Sequence, residues 1–281
     1  MTGTPPTREL AHLPGPALAS ALSSGSIVVL PIGAIEHHGP HLPLSTDWLM
    51  ADLVSTDVVA AAVEAGLDVW RLPAIAYGKS DEHFWAPGTM WVSWETLMRE
   101  VVELGDAVAA TPARTLVIYN GHGGNLALLQ VALREIRKRT GLRTFLMGVS
   151  IKAAVDEPGG LDERGFGIHG GHEETSLVAY LRPDLVDLSK ADRWVPDHLA
   201  DLELVRFNGG PVQFGWLSND FDDAGVIGDA RFASAEHGAV VHERAVAHGV
   251  AALGEIARFR HRPDGPAPIE AALLDDAGGA R

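Results

Sequence analysis

The chain has 281 residues, 46% of them hydrophobic, which is enough for one large domain or two small ones around a sizeable core. Lys and Arg number 22 against 37 Asp and Glu, a net charge of −15, so there is no basic surplus of the kind that nucleic acid or an anionic membrane surface requires. There is no cysteine, which excludes disulfides, thiolate metal sites and a cysteine nucleophile; any metal must be held by His, Asp and Glu.

Residues 1 to about 9 read as a loose polar tail, and "MTGTPPTREL" shows no basic segment followed by an apolar run, so no signal peptide is expected. No 18-residue apolar run follows, so no membrane span is expected and a cytoplasmic location is the default. "GSIVVLPIG" (25–33) is a β-branched apolar run ending in Gly, the pattern of a buried strand. The spacing then predicts a helix over 45–66, with Ser45 or Thr46 as N-cap and Gly66 past its end. A second strand is expected within "LDVWRLPAI" (67–75), and a helix over 93–111. "TLVIYN" (115–120) reads as another buried strand, 126–139 as an amphipathic helix stopped by Gly141, and 143–150 as a further strand. A Gly-rich loop at 156–171 precedes a helix from about His172 to Leu181. Residues 185–230 show no period and are expected to line or cover a pocket. A last long helix is predicted over 234–260, and a loose tail from Pro263.

Short apolar strands alternating with helices mean a mostly parallel sheet covered on both faces. No repeat or linker is visible, so a single domain is expected, with its core over about 25–260. In such sheets the active site lies at the carboxyl ends of the strands. The loops after 25–33 and 115–120 both carry histidine at that edge.

Three segments carry chemistry. "GAIEHHGPHLPLSTD" (33–47) places Glu36 and His38 two residues apart, on the same side of an extended chain, with His37 pointing away. Asp47 follows at a helix start, where the dipole favours a carboxylate. Carboxylate plus imidazole suits Zn, Mn or Fe, but a polar loop with a capping Asp has the same composition. "NGHGGN" (120–125) flanks His122 with glycines, which leaves the imidazole uncrowded; a loop cradling phosphate is the competing reading, although it lacks the Lys-Ser/Thr of a Walker loop. "HGGHEETS" (169–176) offers two histidines and two glutamates around a helix start. Glu173 and Glu174 are about 100° apart on a helix, so one of them faces a pocket. Glutamates there also complement the dipole without any metal.

Together, in this order and spacing, the three segments resemble the signature blocks of the creatininase (creatinine amidohydrolase) family. "YGKSDEHFWAPGT" (77–89) resembles a fourth block. The resemblance implies a three-layer α/β/α sandwich, a homo-oligomer that is often a hexamer, and two divalent metal ions per chain, with zinc the first choice and manganese or iron the others. It implies hydrolysis of an amide-type C–N bond through a metal-bridging hydroxide. Carried onto this sequence, Glu36, His38, Asp47 and His122 match family metal ligands, with Asp47 bridging. Creatininase proper has a Glu two residues after the second-block histidine; that position is Gly124 here, and Glu174 is the expected replacement. His169 matches the family histidine that handles protons, with Glu174 beside it in the catalytic set. Ser80, His83, Gly123, Gly124 and Asn125 are expected to contact substrate. Three carboxylates, two dications and one hydroxide sum to zero charge, which lowers the cost of burying such a centre.

The expected substrate is a small amide, cyclic or formyl. Two alternatives within the resemblance are a short peptide of redox-cofactor maturation and the C–C bond of a cyclic β-diketone. Creatininase proper packs its substrate against tryptophans shortly before the third block, and no Trp lies here between Trp94 and Trp194, which argues against creatinine. Trp85, Trp91 and Trp94 are candidates for a different apolar wall, or for core or interface. Outside enzymology, an anion-binding module and a structural subunit with relic ligands are the competing classes. The absence of Lys and Arg from the three blocks argues against the first, and their intact His and carboxylates against the second.

Overall fold

The computed structural model describes residues 8–149, 163–207 and 211–279. The chain begins with a short helix α1 (Gly15–Ala21), strand β1 (Ile27–Ile32) and helix α2 (Thr46–Leu49). A π turn over Met50–Val54 joins α2 to α3 (Ser55–Glu64). Strand β2 (Val69–Arg71), α4 (Trp94–Ala109), β3 (Thr115–Asn120), α5 (Leu126–Thr140) and β4 (Arg143–Gly148) follow. Then come α6 (His172–Leu181), the two-residue strands β5 (Arg193–Trp194) and β6 (Gly228–Asp229), α7 (Ala235–Arg258) and α8 (Pro268–Gly279).

The four long strands form one parallel sheet, ordered β2-β1-β3-β4. Side-chain alternation divides the core into two layers. Val28, Leu30, Ile32, Leu116 and Ile118 pack with Leu97 and Val101 of α4 and Leu129 and Ile136 of α5. Ile27, Val29, Val117 and Tyr119 pack with Val58 of α3, Leu177 of α6, and Val241 and Leu253 of α7. This is the three-layer α/β/α sandwich expected from the sequence. Pro31 sits inside β1 without disturbing it. Its carbonyl accepts from Ile75 on the side where β2 has already ended, so no ladder donor is missing there.

The structure differs from the sequence reading at both ends and in the middle. Glu9, read as tail, bridges to Arg71, and its carboxylate holds the Arg71 guanidinium at 2.9 Å. The tail expected from Pro263 instead carries α8, anchored by the Arg137–Glu270 pair at 3.0 Å and by Leu273 against the first core layer. Thus α7 is not the last helix. Residues 185–230 hold a third, aromatic cluster in which Phe207 meets Phe166, Phe214, Trp216 and Phe221 at ring-centroid distances of 5.0–5.9 Å. Residues 156–162 of the Gly-rich loop at 156–171, and Ser150 at the end of the strand read over 143–150, lie outside the described residues. No described helix is long and apolar enough to cross a membrane.

Candidate metal centre

Parallel strands deliver the first two blocks to one edge. The chain leaves β1 into Glu36 and His38, and leaves β3 into His122. Gly33 lets the first turn of α2 press onto this loop, because a Cβ there would collide with the Trp48 backbone. Asp47, in that first turn, is thereby brought into the centre. The third block arrives through α6, whose start is held by the half-buried Glu163 carboxylate accepting from the backbone of His172 (3.1 Å) and Asp229 (2.9 Å).

Seven side chains meet there, all buried: Glu36, His38, Asp47, His83, His122, His169 and Glu174. Asp47 faces two imidazoles with its two oxygens, His38 Nε2 at 3.3 Å and His122 Nδ1 at 2.8 Å. His122 Nδ1 is also 3.2 Å from Glu36 Oε2. His38 Nε2 lies 3.8 Å from Glu174 Oε2, and Glu36 Oε1 lies 3.4 Å from His83 Nε2 and 3.6 Å from His169 Nδ1. Three groups have the compactness of a cation site: Glu36–Asp47–His122, His38–His169–Glu174 and Glu36–His83–His169.

The hydrogen bonds fix which ring nitrogen faces inward. A backbone carbonyl can only accept, so His122 Nε2 donates to Lys79 O (3.0 Å), His38 Nδ1 to Glu36 O (3.1 Å) and His169 Nε2 to His37 O (2.7 Å). In the neutral ring each remaining nitrogen turns a lone pair toward carboxylates. Both Glu36 oxygens, Asp47 Oδ2 and His38 Nε2 are buried without a hydrogen-bond partner among the described residues. Acceptors aimed at acceptors repel unless a proton or a cation lies between them. This donor set therefore fits divalent cations.

The titration behaviour has the same cause. Burial opposes charge on His38, yet Asp47, then Glu174 and Glu36, lift it to about 10. Burial is likewise overcome at His122 by Glu36 and Asp47, which raise it well above the usual value. Burial would raise Asp47, but His38 and His122 hold it well below the carboxylate range. Burial raises Glu36 to about 7 and also raises Glu174. Burial, with His38 and His83 nearby, holds His169 well below the usual imidazole value, which favours the neutral ring.

The other expected residues fall into place differently. Glu174, not Glu173, faces the centre; Glu173 pairs with His237 at 3.1 Å. His37 points away to Ala224 O at 2.8 Å, and His41 bonds to Gly170 O and Thr175. Asn125 is committed to Gly33 O, Asn120 and the Lys79 amide, a clamp between loops. Ser80 Oγ is buried without a hydrogen-bond partner among the described residues, and a side chain at Gly123 would meet nothing within 4 Å. Trp91 and Trp94 are not core, at 43% and 58% exposed.

The sequence reading missed Glu82. Its Oε1 is 3.4 Å from His122 Nε2, and it occupies the space that a Cβ at Gly124 would need. The signal was its position beside His83 in the fourth block.

A sequence profile of the family described as creatinine amidohydrolase, creatininase, matches residues 11–253. The chain belongs to the creatininase family. Its members are metal-dependent amidohydrolases, and the chain is an enzyme of that class. A mycofactocin precursor peptide peptidase of Mycobacterium tuberculosis is 34% identical over 89% of this chain and 93% of its own length. A creatinine amidohydrolase of Pseudomonas putida is also 34% identical, over 64% of this chain and 72% of its own. Among solved structures, a mutant creatininase of Zn–Zn type and a manganese creatininase are each 26% identical, with TM-scores of 0.68 and 0.69; both matches cover 89% of this chain and 98% of the other.

Proposed function

We propose that this creatininase-family chain hydrolyses an amide C–N bond at a two-metal centre built from Glu36, His38, Asp47, His122 and Glu174. The observation that carries the proposal is the convergence of partnerless carboxylate oxygens on imidazole nitrogens whose opposite N–H groups are tied to backbone carbonyls. Glu36, Asp47 and His122 would hold one cation, and His38, Glu174 and the second Asp47 oxygen the other. Zinc or manganese is the fitting ion, as in the solved creatininases. When bound, such ions supply Lewis acidity, making water acidic near neutral pH and polarising a carbonyl. The chain's own residues supply position and proton transfer. Backbone carbonyls orient the three imidazoles, and burial excludes bulk water. His169 is a neutral base whose Nδ1 is the ring atom left open to take a proton and hand it to the departing nitrogen. Ser80 Oγ, buried and partnerless, is a donor for a substrate oxygen.

For the substrate, the observations favour a short peptide over the small cyclic or formyl amide expected from the sequence. The precursor peptide peptidase matches along almost its whole length, whereas the creatinine amidohydrolase matches over less of both chains. The test is elemental analysis of the purified protein, followed by short peptides, lactams and formamides assayed with and without chelator. Two metals per chain and chelator-sensitive peptide cleavage are expected. Cleavage of lactams or formamides alone would overturn the peptide assignment; undiminished turnover in metal-stripped protein would overturn the metal-centred mechanism.

A further inference from the structure

The opposite edge of the sheet carries a second charged site of the other sign. A cavity of about 430 Å³ lies at the amino ends of β1, β3 and β4, closed by the segment that links α7 to α8. Four arginines line it: Arg114 just before β3, Arg143 at the start of β4, and Arg260 and Arg262 after α7. Eight arginines elsewhere pair with carboxylates, among them Arg8–Asp68 at 3.1 Å, Arg193–Asp197 at 2.8 Å and Arg231–Asp229 at 2.7 Å, and the remaining arginines are scattered except at this cavity. None of the four has a carboxylate within ion-pair distance among the described residues.

Their hydrogen bonds hold them without neutralising them. Arg114 Nη1 donates to Thr111 O and Ala113 O at 2.6 and 2.7 Å, while its Nε is buried with no partner among the described residues. Arg143 donates to Phe259 O at 2.9 Å and Thr115 Oγ1 at 2.6 Å. Arg260 donates to Ala257 O and Phe259 O at 3.1 and 2.8 Å. Glu270 is the one carboxylate in the lining, and it is spent: Oε1 accepts from Arg137 (3.0 Å) and lies 2.6 Å from His261, and Oε2 accepts from the Ala267 amide (3.0 Å). Burial, and for Arg143 also the neighbouring Arg260, push both Arg114 and Arg143 below the usual guanidinium value.

We propose that this cavity binds a phosphate-bearing small molecule. Guanidinium forks match phosphate oxygens in pairs, and several held together offset a dianion better than a single carboxylate. The volume lies within the range of about 300–1,000 Å³ usual for small-molecule sites, and Leu273 and Ala257 give an apolar wall for the organic part. The site is independent of the amide-hydrolase reading, since it uses no residue of the metal centre.

The test is calorimetric titration of the full chain at low ionic strength with adenosine monophosphate, inorganic phosphate and succinate. Each titration is run on metal-loaded and metal-stripped protein, because phosphate also meets dications. Saturable binding of the monophosphate with Kd below about 1 mM is expected, surviving metal removal and weakening with salt. Arg143→Ser and the exposed pair Arg260→Ser with Arg262→Ser should each weaken it about tenfold or more, thermal melts confirming that the variants fold. Inorganic phosphate should bind more weakly than the ester, and succinate more weakly still. The proposal fails if monophosphate binding vanishes with the metal or ignores the arginine changes. It also fails if the arginine changes alter oligomeric state while no phosphate binds, since the patch would then be a protein interface.

Discussion

The two edges of one sheet solve the same electrostatic problem in opposite ways. At the carboxyl edge, carboxylates and imidazoles are fully buried, and the ring orientations are fixed by backbone carbonyls. At the amino edge, guanidiniums are tied to carbonyls but half-buried or exposed, with water free to screen them. Each edge is covered by a late segment of the chain: the carboxyl edge by residues around 163–230, the amino edge by the link into α8. The difference lies in what a missing counter-charge costs. A buried carboxylate cluster needs a cation or protons to exist at all, whereas an exposed arginine cluster tolerates an empty site. Metal should therefore matter to folding and activity at the first edge, and anions only to occupancy at the second.

Asp47→Ala breaks this contrast most directly. It removes the carboxylate that lies nearest to both His38 and His122, at 3.3 and 2.8 Å, against 3.9 and 3.2 Å for Glu36. Unpairing a buried charge typically costs about 3–5 kcal/mol, on the order of a 10³-fold loss in cation affinity. Metal content after dialysis and kcat/KM should fall together. A variant that keeps both metals and full turnover would mean that Asp47 is only a helix cap.

Acidity gives the next largest effect. In the metal-free chain His38, lifted to about 10 by Asp47, Glu174 and Glu36 against its burial, carries a proton at neutral pH. A cation must displace that proton, so affinity should rise about tenfold per pH unit for each proton released. The stability effect has the opposite sign. A raised imidazole contributes stability that is fully present below about pH 6.5 and is lost as pH rises through 10. Burial of Glu36, raised to about 7, erodes stability across the same rise in pH. Metal-free protein should thus melt lower at pH 9 than at pH 6, and added zinc should restore more at pH 9. Melting curves at the two pH values, with and without zinc, decide this; equal zinc stabilisation at both would remove the protonated His38 from the account.

The parts of this architecture legible in the sequence are those with a local cause. The apolar runs of β1 and β3 announce buried strands, and the glycines after them announce turns at one edge, so the loops bearing Glu36, His38 and His122 could be placed together on paper; that these residues and Asp47 form a ligand set came from the resemblance to the creatininase blocks. The α8 segment was read as tail because Pro263, Gly265 and Pro266 break the pattern before it; the helix is held by a long-range pair, Arg137 with Glu270, that no local window contains. Residues 185–230 have no period because their order comes from aromatic rings meeting across the chain, Phe166 with Phe207 among them. Helix spacing alone could not choose between Glu173 and Glu174, and the resemblance favoured Glu174; in three dimensions His237 claims Glu173.

Glu82 was illegible for a related reason: its role depends on the missing side chain at Gly124. With no Cβ there, the Glu82 carboxylate reaches the outer nitrogen of His122, which also donates to Lys79 O at 3.0 Å. A carboxylate behind a ligating imidazole raises its basicity and fixes its plane, and losing such a partner typically weakens metal binding about 10–100-fold. Glu82→Gln keeps the shape and removes the charge, so it should weaken metal binding toward the lower end of that range. Gly124→Ala should act in the same direction, and more strongly, because its Cβ would crowd both the Glu82 carboxylate and His122 Nε2. Competition with a chelator of known affinity measures both, and folding is checked by melting in excess metal. If Glu82→Gln binds metal as the parent does, then Glu82 merely fills the space beside Gly124, and the carbonyl of Lys79 alone orients His122.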